Sequence, residues 1–456
     1  MKISSITLGC KVNQYETNAM EQKFMEKGYK KVENNSDICI VNTCSVTNIA
    51  EKKSRQMLRR AKELNPNAVL VACGCYAQVA EQEIQKIPEV DIILGNNEKE
   101  KIAEIVEEYI SEHKKITDVK DVMHYSEYNE FGITTHTELN RAVIKIQDGC
   151  DRFCTYCIIP YARGAVRSRE PESIIEEIKS VTKLGIKEVV LTGIHIASYG
   201  KDFNKTKVAE LRKKYGYNEE YKAFDPKDDL ATGGFRFIEL IEQINKIEEI
   251  EAIRLGSIEP KLITEEFLSR LSKCEKVCHH FHLSLQSGCD ETLARMNRRY
   301  TTEEFMKSVE LLRKIYADVA LTTDIIVGFP GETENEFNTT YKFLESVNFY
   351  KMHVFKYSPK RGTKALVMPN QVSSKIKEER SKRLIELSDR LQVEQNKKYL
   401  GQTMKVLFEE AENGYFKGHT GNYILVKVET KENLENQIKD VKLEKLDGLD
   451  IIGSIL

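Results

Sequence analysis

The sequence has no long apolar run: nothing approaches the roughly 18 consecutive apolar residues of a membrane-spanning helix. The opening MKISSITLGCKVNQ has no hydrophobic signal core with a cleavage site. The expectation is a soluble, cytoplasmic protein with no membrane partner. Net charge is nearly absent too, since 69 Lys plus Arg against 71 Asp plus Glu leave −2. That excludes a globally basic nucleic-acid coat and confines any RNA contact to local basic patches. Cysteine, by contrast, is plentiful, with 11 in 456 residues. In a reducing compartment, and in a chain large enough to bury a core, these are core thiols, metal ligands or catalytic groups rather than disulfide staples.

The length suggests about two to three domains. Apolar runs at 4–9, 37–42, 67–73 and 91–95 alternate with charged, helix-like segments at 16–28, 48–64 and 78–87. This is the pattern of a parallel sheet covered on both faces. A polar stretch without clear period, 112–140, reads as a linker. A longer series follows, with candidate strands at 142–147, 188–193, 252–257, 280–287, 319–329 and 350–358. Six such βα units suggest a partial barrel, with function expected at the carboxyl ends of its strands. Residues 201–233 interrupt the series as a polar surface insertion. A charged connecting helix at 371–398 leads to a β-rich tail, 399–456, that fits a small barrel. The fold class is therefore α/β: an N-terminal parallel α/β sandwich (1–111), a central partial β/α barrel (141–370) and a small C-terminal β-barrel.

The segment IQDGCDRFCTYCIIPYARG places Cys150, Cys154 and Cys157 as C-x3-C-x2-C directly after the first barrel strand. Structural zinc wants four ligands and this loop offers three. An iron–sulfur cubane held by three thiolates leaves one iron open to a substrate or cofactor. Spacing alone leaves iron–sulfur, zinc with a distant fourth ligand, and chance all open, and the position at the barrel mouth favours the first. Cys10, Cys44 and Cys75 each follow a strand of the N-terminal sheet, and residues beyond the carboxyl ends of adjacent strands converge on one crevice. Cys39 lies inside a strand and reads as a small buried hydrophobe. Cys73, two residues before Cys75, is expected on the same side and is the rival ligand. Cys274 and Cys278, with His279, His280 and His282 nearby, read as packing rather than zinc, and Cys289 is unassigned.

C-x3-C-x2-C after the first strand of a six-unit β/α barrel resembles the radical S-adenosylmethionine superfamily. The resemblance implies a [4Fe–4S] cluster on Cys150, Cys154 and Cys157 whose open iron chelates S-adenosylmethionine. An electron from the cluster then cleaves that cofactor to a 5′-deoxyadenosyl radical. Cofactor-binding positions follow by the same resemblance: Tyr156 near the adenine, Thr192 and Gly193 at the methionyl amino group, and Ser257, Gln286, Asp324 and Gly328 at later strand ends. The plainer reading makes Gly193 and Gly328 strand-ending turns, and Gln286 and Asp324 helix caps.

LGCKVNQYET (8–17), VNTCSVTNIAEKKSR (41–55) and ACGCYAQ (72–78) resemble the methylthiotransferase family. So do HLSLQSGCDETLARMNRRYT (282–301), TTDIIVGFPGET (322–333) and FKYSPKRGTKA (355–365). That family carries a second [4Fe–4S] cluster in its N-terminal domain, which assigns Cys10, Cys44 and Cys75 as ligands, and the tail resembles its TRAM RNA-binding domain. Cys73 and the insertion at 201–233 depart from the family pattern.

Residues 9–17 resemble most closely the branch acting on threonylcarbamoyladenosine in tRNA. The implied reaction places a methylthio group on C2 of the adenine at position 37, next to the anticodon. An aromatic C–H is neither acidic nor electrophilic enough for ordinary acid–base or nucleophilic catalysis, which is why radical chemistry is needed. The alternatives are isopentenyladenosine in tRNA, an aspartate of a ribosomal protein and, from another class, a zinc-containing RNA-binding module. The implied partners are a tRNA anticodon stem-loop and an external electron donor of flavodoxin or ferredoxin type. Expected RNA contacts are Lys52, Lys53, Arg55, Arg59, Arg60 and Lys62 on one helix. In the tail they are Lys405, Lys417, His419 and Lys427 interleaved with Tyr415, Phe416 and Tyr423. The alternative is a solvated charged face and a small aromatic core.

Overall fold

The computed structural model describes residues 1–134, 140–217 and 234–456. The first unit is a parallel sheet of β1 (Lys2–Thr7), β2 (Lys30–Lys31), β3 (Ile38–Thr43), β4 (Val69–Gly74), β5 (Ile92–Leu94) and β6 (Ile116–Asp118), in spatial order β2-β1-β3-β4-β5-β6. Its central strands are apolar on both faces because helices cover both: all six residues of β3 are buried. One face packs Ile3, Tyr15, Phe24, Cys73 and Val106, and the other packs Cys39, Leu58, Ala61 and Ile84. Helix Lys11–Glu26 starts earlier than the composition suggested, directly at Cys10. The segment read as one helix at 78–87 is two, Cys75–Val79 and Glu81–Ile84, because Ala80 leaves helical geometry at φ −139° and ψ 37°. The stretch read as a linker at 112–140 gives the sheet its edge strand, β6.

The second unit carries the six expected strands: β7 (Arg141–Asp148), then, after the short β8 (Arg167–Ser168), β9 (Glu188–Gly193), β10 (Ala252–Leu255), β11 (His280–His282), β12 (Ala320–Val327) and β13 (Lys351–Lys356). The six run parallel in two sheets, β10-β9-β7-β8 and β11-β12-β13, with only the short β8 antiparallel to its neighbour β7; the parallel bridge Ile258↔Leu283 joins the sheets, so the wall is an open partial barrel. Its core includes Ile144, Val189, Leu255, Phe281 and Ile325, with Leu384, Leu387 and Leu391 of the long helix Ser374–Lys397 packed on the outside. The polar insertion opens with helix Lys205–Tyr215, capped by Asn204 and closed by Gly216; the rest of it, 218–233, lies outside the described residues.

The tail is a closed five-stranded barrel, β14 (Thr403–Glu412), β15 (Tyr415–Thr420), β16 (Leu425–Glu429), β17 (Ile438–Asp447) and β18 (Asp450–Ile455), in order β14-β15-β16-β18-β17. Closure leaves it no free sheet edge. Among the described residues no helix is long and apolar enough to cross a membrane.

Candidate functional site

Only glycine is tolerated where the barrel-mouth loop begins. Gly149, just after β7, has φ +73°, and a Cβ there would lie 1.7 Å from the Ala165 carbonyl oxygen. The Cys150 N–H donates to the Gly164 carbonyl (3.0 Å), and the Cys157 N–H to the Cys154 carbonyl (2.9 Å). The loop so pinned brings the thiols of Cys150, Cys154 and Cys157 within Coulombic reach of one another. Burial pushes the Cys150 thiol up to about 12 and raises Cys157 as well, with the charge of Cys154 adding to both. Arg298 Nη1 stands 3.3 Å from Cys154 Sγ. A polar belt lies beside the loop. Glu259 is bonded to His195 Nε2 (2.8 Å) and accepts from Arg152, and the His195 N–H donates to Gln147 Oε1 (2.7 Å). Burial pushes the Glu259 carboxyl up, but the His195 hydrogen bond and the charges of His195, Arg152 and Arg298 outweigh it and bring it down to about 2.

The N-terminal thiols come from three strand ends. Cys10 precedes helix Lys11–Glu26 after β1, Cys44 follows β3, and Cys75 opens helix Cys75–Val79 after β4. Two left-handed glycines make the approach close: a Cβ on Gly9 would sit 2.9 Å from Cys44 Sγ, and one on Gly74 would sit 2.4 Å from the Thr43 carbonyl oxygen. Burial pushes the Cys44 thiol up to about 11, with Cys75 and Cys10 near enough to add to the rise. Gly74 also separates the two rivals. Cys73 was expected on the same side as Cys75, but φ +97° at Gly74 ends the strand alternation between them. Cys73 packs in the core with Tyr15 and Phe24, its thiol pushed up to about 12 by burial, while Cys75 joins Cys44 and Cys10.

One short helix joins the two thiol sets. Ile159–Arg163 begins two residues after Cys157 and ends at the N-terminal crevice. There Arg163 Nη2 donates to Asn13 Oδ1 (2.7 Å), and Asn13 in turn donates to the Leu8 and Thr43 carbonyls beside Cys10 and Cys44. Asn96 Nδ2 donates to the Ala162 carbonyl (2.7 Å) and lies 3.9 Å from Cys75 Sγ. Among the described residues no three His, Cys, Asp or Glu side chains are already closed around a common metal position, and this includes both thiol sets. The donor chemistry fits iron–sulfur clusters: three thiols per set, an arginine near each, and thiols whose protons metal binding must displace.

The residues expected at S-adenosylmethionine divide. Tyr156 packs edge-on to Phe329, with ring centroids 6.3 Å apart. Thr192 and Gly193 end β9 against β7, where a Cβ on Gly193 would meet Gln147 at 3.0 Å. Ser257 is exposed after β10, and Gln286, at φ +72°, donates its N–H to the Asp324 carbonyl (2.9 Å). Asp324 was expected at a strand end but lies inside β12, which runs three residues further to Val327. Its carboxylate faces His282 at 3.4 Å. Gly328 does end that strand, at φ +70°, and a Cβ there would meet Lys377 Cγ at 2.3 Å, so packing of the long helix accounts for it. Arg152, Arg163, His195, Glu259 and Arg298 were not singled out from sequence. Arg152, His195, Glu259 and Arg298 lie in four different loops, and only Arg163, at the end of its short helix, has a local cue, the ARG that closes the cysteine segment.

The basic helix Asn48–Leu64 keeps Lys52, Lys53, Arg59 and Arg60 exposed, whereas Arg55 is half-buried and bonded to Tyr76 and Lys62 reaches the Ala68 carbonyl. The tail differs from expectation. His419 pairs with Glu409 and stacks on Tyr423 (centroids 4.4 Å apart), and Tyr423 stacks on His280 of β11 (4.6 Å). Lys427 pairs with Asp450 at 2.6 Å and Lys417 with Glu412. These groups are spent on holding the small barrel together and against the large one. Cys274 is packed in the barrel core and Cys278 is buried.

A family model described as the Radical SAM superfamily matches residues 144–344, and one described as Uncharacterized protein family UPF0004 matches residues 2–95. With the partial barrel and its three-thiol mouth, this defines the class: a radical S-adenosylmethionine enzyme, whose chemistry uses that cofactor and a [4Fe–4S] cluster. Threonylcarbamoyladenosine tRNA methylthiotransferase MtaB of Bacillus subtilis is 40% identical, the match covering 96% of this chain and 93% of that one. The protein of the same name from Aquifex aeolicus is 39% identical, covering 94% and 97%. A tRNA-2-methylthio-N(6)-dimethylallyladenosine synthase of Clostridium tetani is 37% identical, covering 98% and 94%. The chain belongs to the methylthiotransferase family of radical S-adenosylmethionine enzymes. Among solved structures, the radical S-adenosylmethionine methyltransferase TsrM of Kitasatospora setae superposes with a TM-score of 0.52 at 13% identity, covering 78% of this chain and 74% of that one. The likeness is one of fold alone.

Proposed function

We propose that this protein adds a methylthio group to C2 of N6-threonylcarbamoyladenosine next to the anticodon of tRNA, in the cytoplasm. The observation that carries the substrate is the 40% identity, over 96% of the chain, to a relative named for that reaction. Dimethylallyladenosine is the second reading, favoured by 37% identity to the Clostridium tetani relative.

In this reading residues 1–111 hold a second [4Fe–4S] cluster on Cys10, Cys44 and Cys75, together with the sulfur to be delivered. Residues 141–370 hold the radical chemistry on Cys150, Cys154 and Cys157, and 399–456 form a TRAM domain that binds RNA. Cluster and S-adenosylmethionine, when bound, supply a radical able to take a hydrogen atom from an unactivated C–H. The chain's own residues do the rest. Gly149 and the backbone bonds of the loop fix where the three barrel thiols stand. Tyr156, backed edge-on by the buried Phe329, offers aromatic surface that suits an adenine, and Thr192, Gly193, Ser257, Gln286 and Asp324 are the proposed cofactor contacts. The helix Ile159–Arg163 holds the sulfur-bearing site beside the radical site, so that both reach one base. Lys52, Lys53, Arg59 and Arg60 offer phosphate contacts. An external flavodoxin- or ferredoxin-type protein supplies the electron.

The test is nucleoside mass analysis of tRNA incubated anaerobically with the reconstituted enzyme, S-adenosylmethionine, sulfide and reductant. Appearance of 2-methylthio-threonylcarbamoyladenosine supports the proposal; product only on dimethylallyladenosine transfers it to the second reading.

A further inference from the structure

Between the two thiol sets lies a group of six buried charges that do not balance. Glu16 faces Lys99 (2.5 Å), Lys145 (2.7 Å) and Arg163 (2.7 Å); Asp148 faces Lys145 (2.6 Å), Arg163 (3.1 Å) and Arg167 (3.8 Å). All six are buried, Lys99 and Arg163 completely. Burial raises both carboxyls, but the surrounding cations outweigh it and hold them well below the usual range, so both count as charged. Four cations against two carboxylates leave an excess of two positive charges. Glu98, next along the chain, does not supply the balance; it faces Asp118, Lys120 and Tyr125 instead.

Unmatched buried charge is strongly unfavourable, so the group calls for anions that the described side chains do not provide. The nearest candidates are the N-terminal thiols. Arg163 is within Coulombic reach of both Cys75 and Cys44, and its Nη2 grips Asn13, which is bonded to the backbone on either side of the crevice. Its Nε is buried with no hydrogen-bond partner. The barrel set is balanced differently, with Arg298 beside Cys154 and the carboxylate of Glu259 within its field.

We infer that Arg163 is a positioning residue of the N-terminal thiol site, its guanidinium and the buried positive charge behind it matching the negative charge that Cys10, Cys44 and Cys75 carry when they hold a cluster. This rests on the two-cluster reading. A cation fixed there stabilises the more negative, reduced state of that cluster over the oxidised state.

The test uses the full chain carrying Cys150→Ala, Cys154→Ala and Cys157→Ala, reconstituted anaerobically, so that only the N-terminal cluster remains. Iron is counted, and reduction by dithionite is followed by electron paramagnetic resonance in a redox titration. About four irons per chain are expected. Adding Arg163→Met is expected to lower the reduced-to-oxidised ratio at fixed potential at least about tenfold, or 59 mV for a one-electron couple. Arg163→Lys, which keeps the charge, is expected to change it less than about threefold by the same conversion. Four irons with an unmoved potential in Arg163→Met overturns the inference. If Arg163→Met does not fold, Lys99→Met removes one charge of the same group and is expected to shift the ratio in the same direction; no shift there also overturns it. No iron at all in the starting chain defeats the two-cluster reading itself, and the inference falls with it.

Discussion

The two thiol sets reach similar chemistry by opposite routes. Cys150, Cys154 and Cys157 lie within eight residues of one another, on a loop whose shape is dictated locally by Gly149 and two backbone bonds. Cys10, Cys44 and Cys75 are brought together only because β1, β3 and β4 are neighbours in a parallel sheet. The local set tolerates few changes within its own segment, while the distributed set depends on the whole sheet. Their electrostatics differ as well. The barrel set has two arginines, Arg298 and Arg152, met by the carboxylates of Glu259 and Asp151, and the N-terminal set backs onto an unbalanced block of buried cations. The contrast suits a division of labour in which one site binds a zwitterionic cofactor and the other holds an anionic sulfur species.

The largest break in this comparison comes from the local set. Cys154→Ala is expected to abolish reductive cleavage of S-adenosylmethionine, measured as 5′-deoxyadenosine, while leaving about four irons on the N-terminal set. Next come the two turns. Gly149→Ala forces a Cβ to within 1.7 Å of a backbone carbonyl oxygen and Gly74→Ala to within 2.4 Å. The first is expected to lower the unfolding free energy by about 4 kcal/mol or more and the second by somewhat less, both measured by urea titration. Gly28, also left-handed but with nothing within 4 Å, sets the control, about 1–2 kcal/mol on mutation to Ala.

A smaller effect concerns pH. Glu259 has a folded-state pKa of about 2, against roughly 4.3 when unfolded. Its stabilisation is therefore complete above about pH 4.3 and lost as pH falls towards 2, on the order of 3 kcal/mol. Glu259→Gln is expected to flatten that part of the stability–pH curve. The smallest effect is at Cys73: Cys73→Ala removes a packed core thiol and is expected to leave iron content unchanged while lowering stability by about 1 kcal/mol.

The same contrast explains how much was legible in the sequence. The six barrel strands and the alternating N-terminal series follow from apolar runs that no competing pattern disturbs, and the cysteine loop follows from spacing. The grouping of Cys10, Cys44 and Cys75 was legible only because parallel topology fixes where strand ends meet. Finer points were lost for physical reasons. Strand alternation put Cys73 beside Cys75 until a left-handed Gly74 broke it. The end of β12 lies beyond Asp324 because the strand continues to Val327. Arg152, His195, Glu259 and Arg298 form their belt through tertiary contacts between four separate loops, and no periodicity in one segment reveals such a set. The tail's His419, Tyr423 and Lys427 have the composition of an RNA face, yet their ring stacks and ion pairs are internal.

The most direct test of two separate thiol sites bridged by one helix is Cys75→Ala in the full chain, reconstituted anaerobically, with iron and 5′-deoxyadenosine measured on the same sample. The account predicts that iron falls from about eight to about four per chain while 5′-deoxyadenosine formation persists and methylthiolated tRNA disappears. Full iron retention, or loss of 5′-deoxyadenosine formation along with the N-terminal cluster, would contradict it.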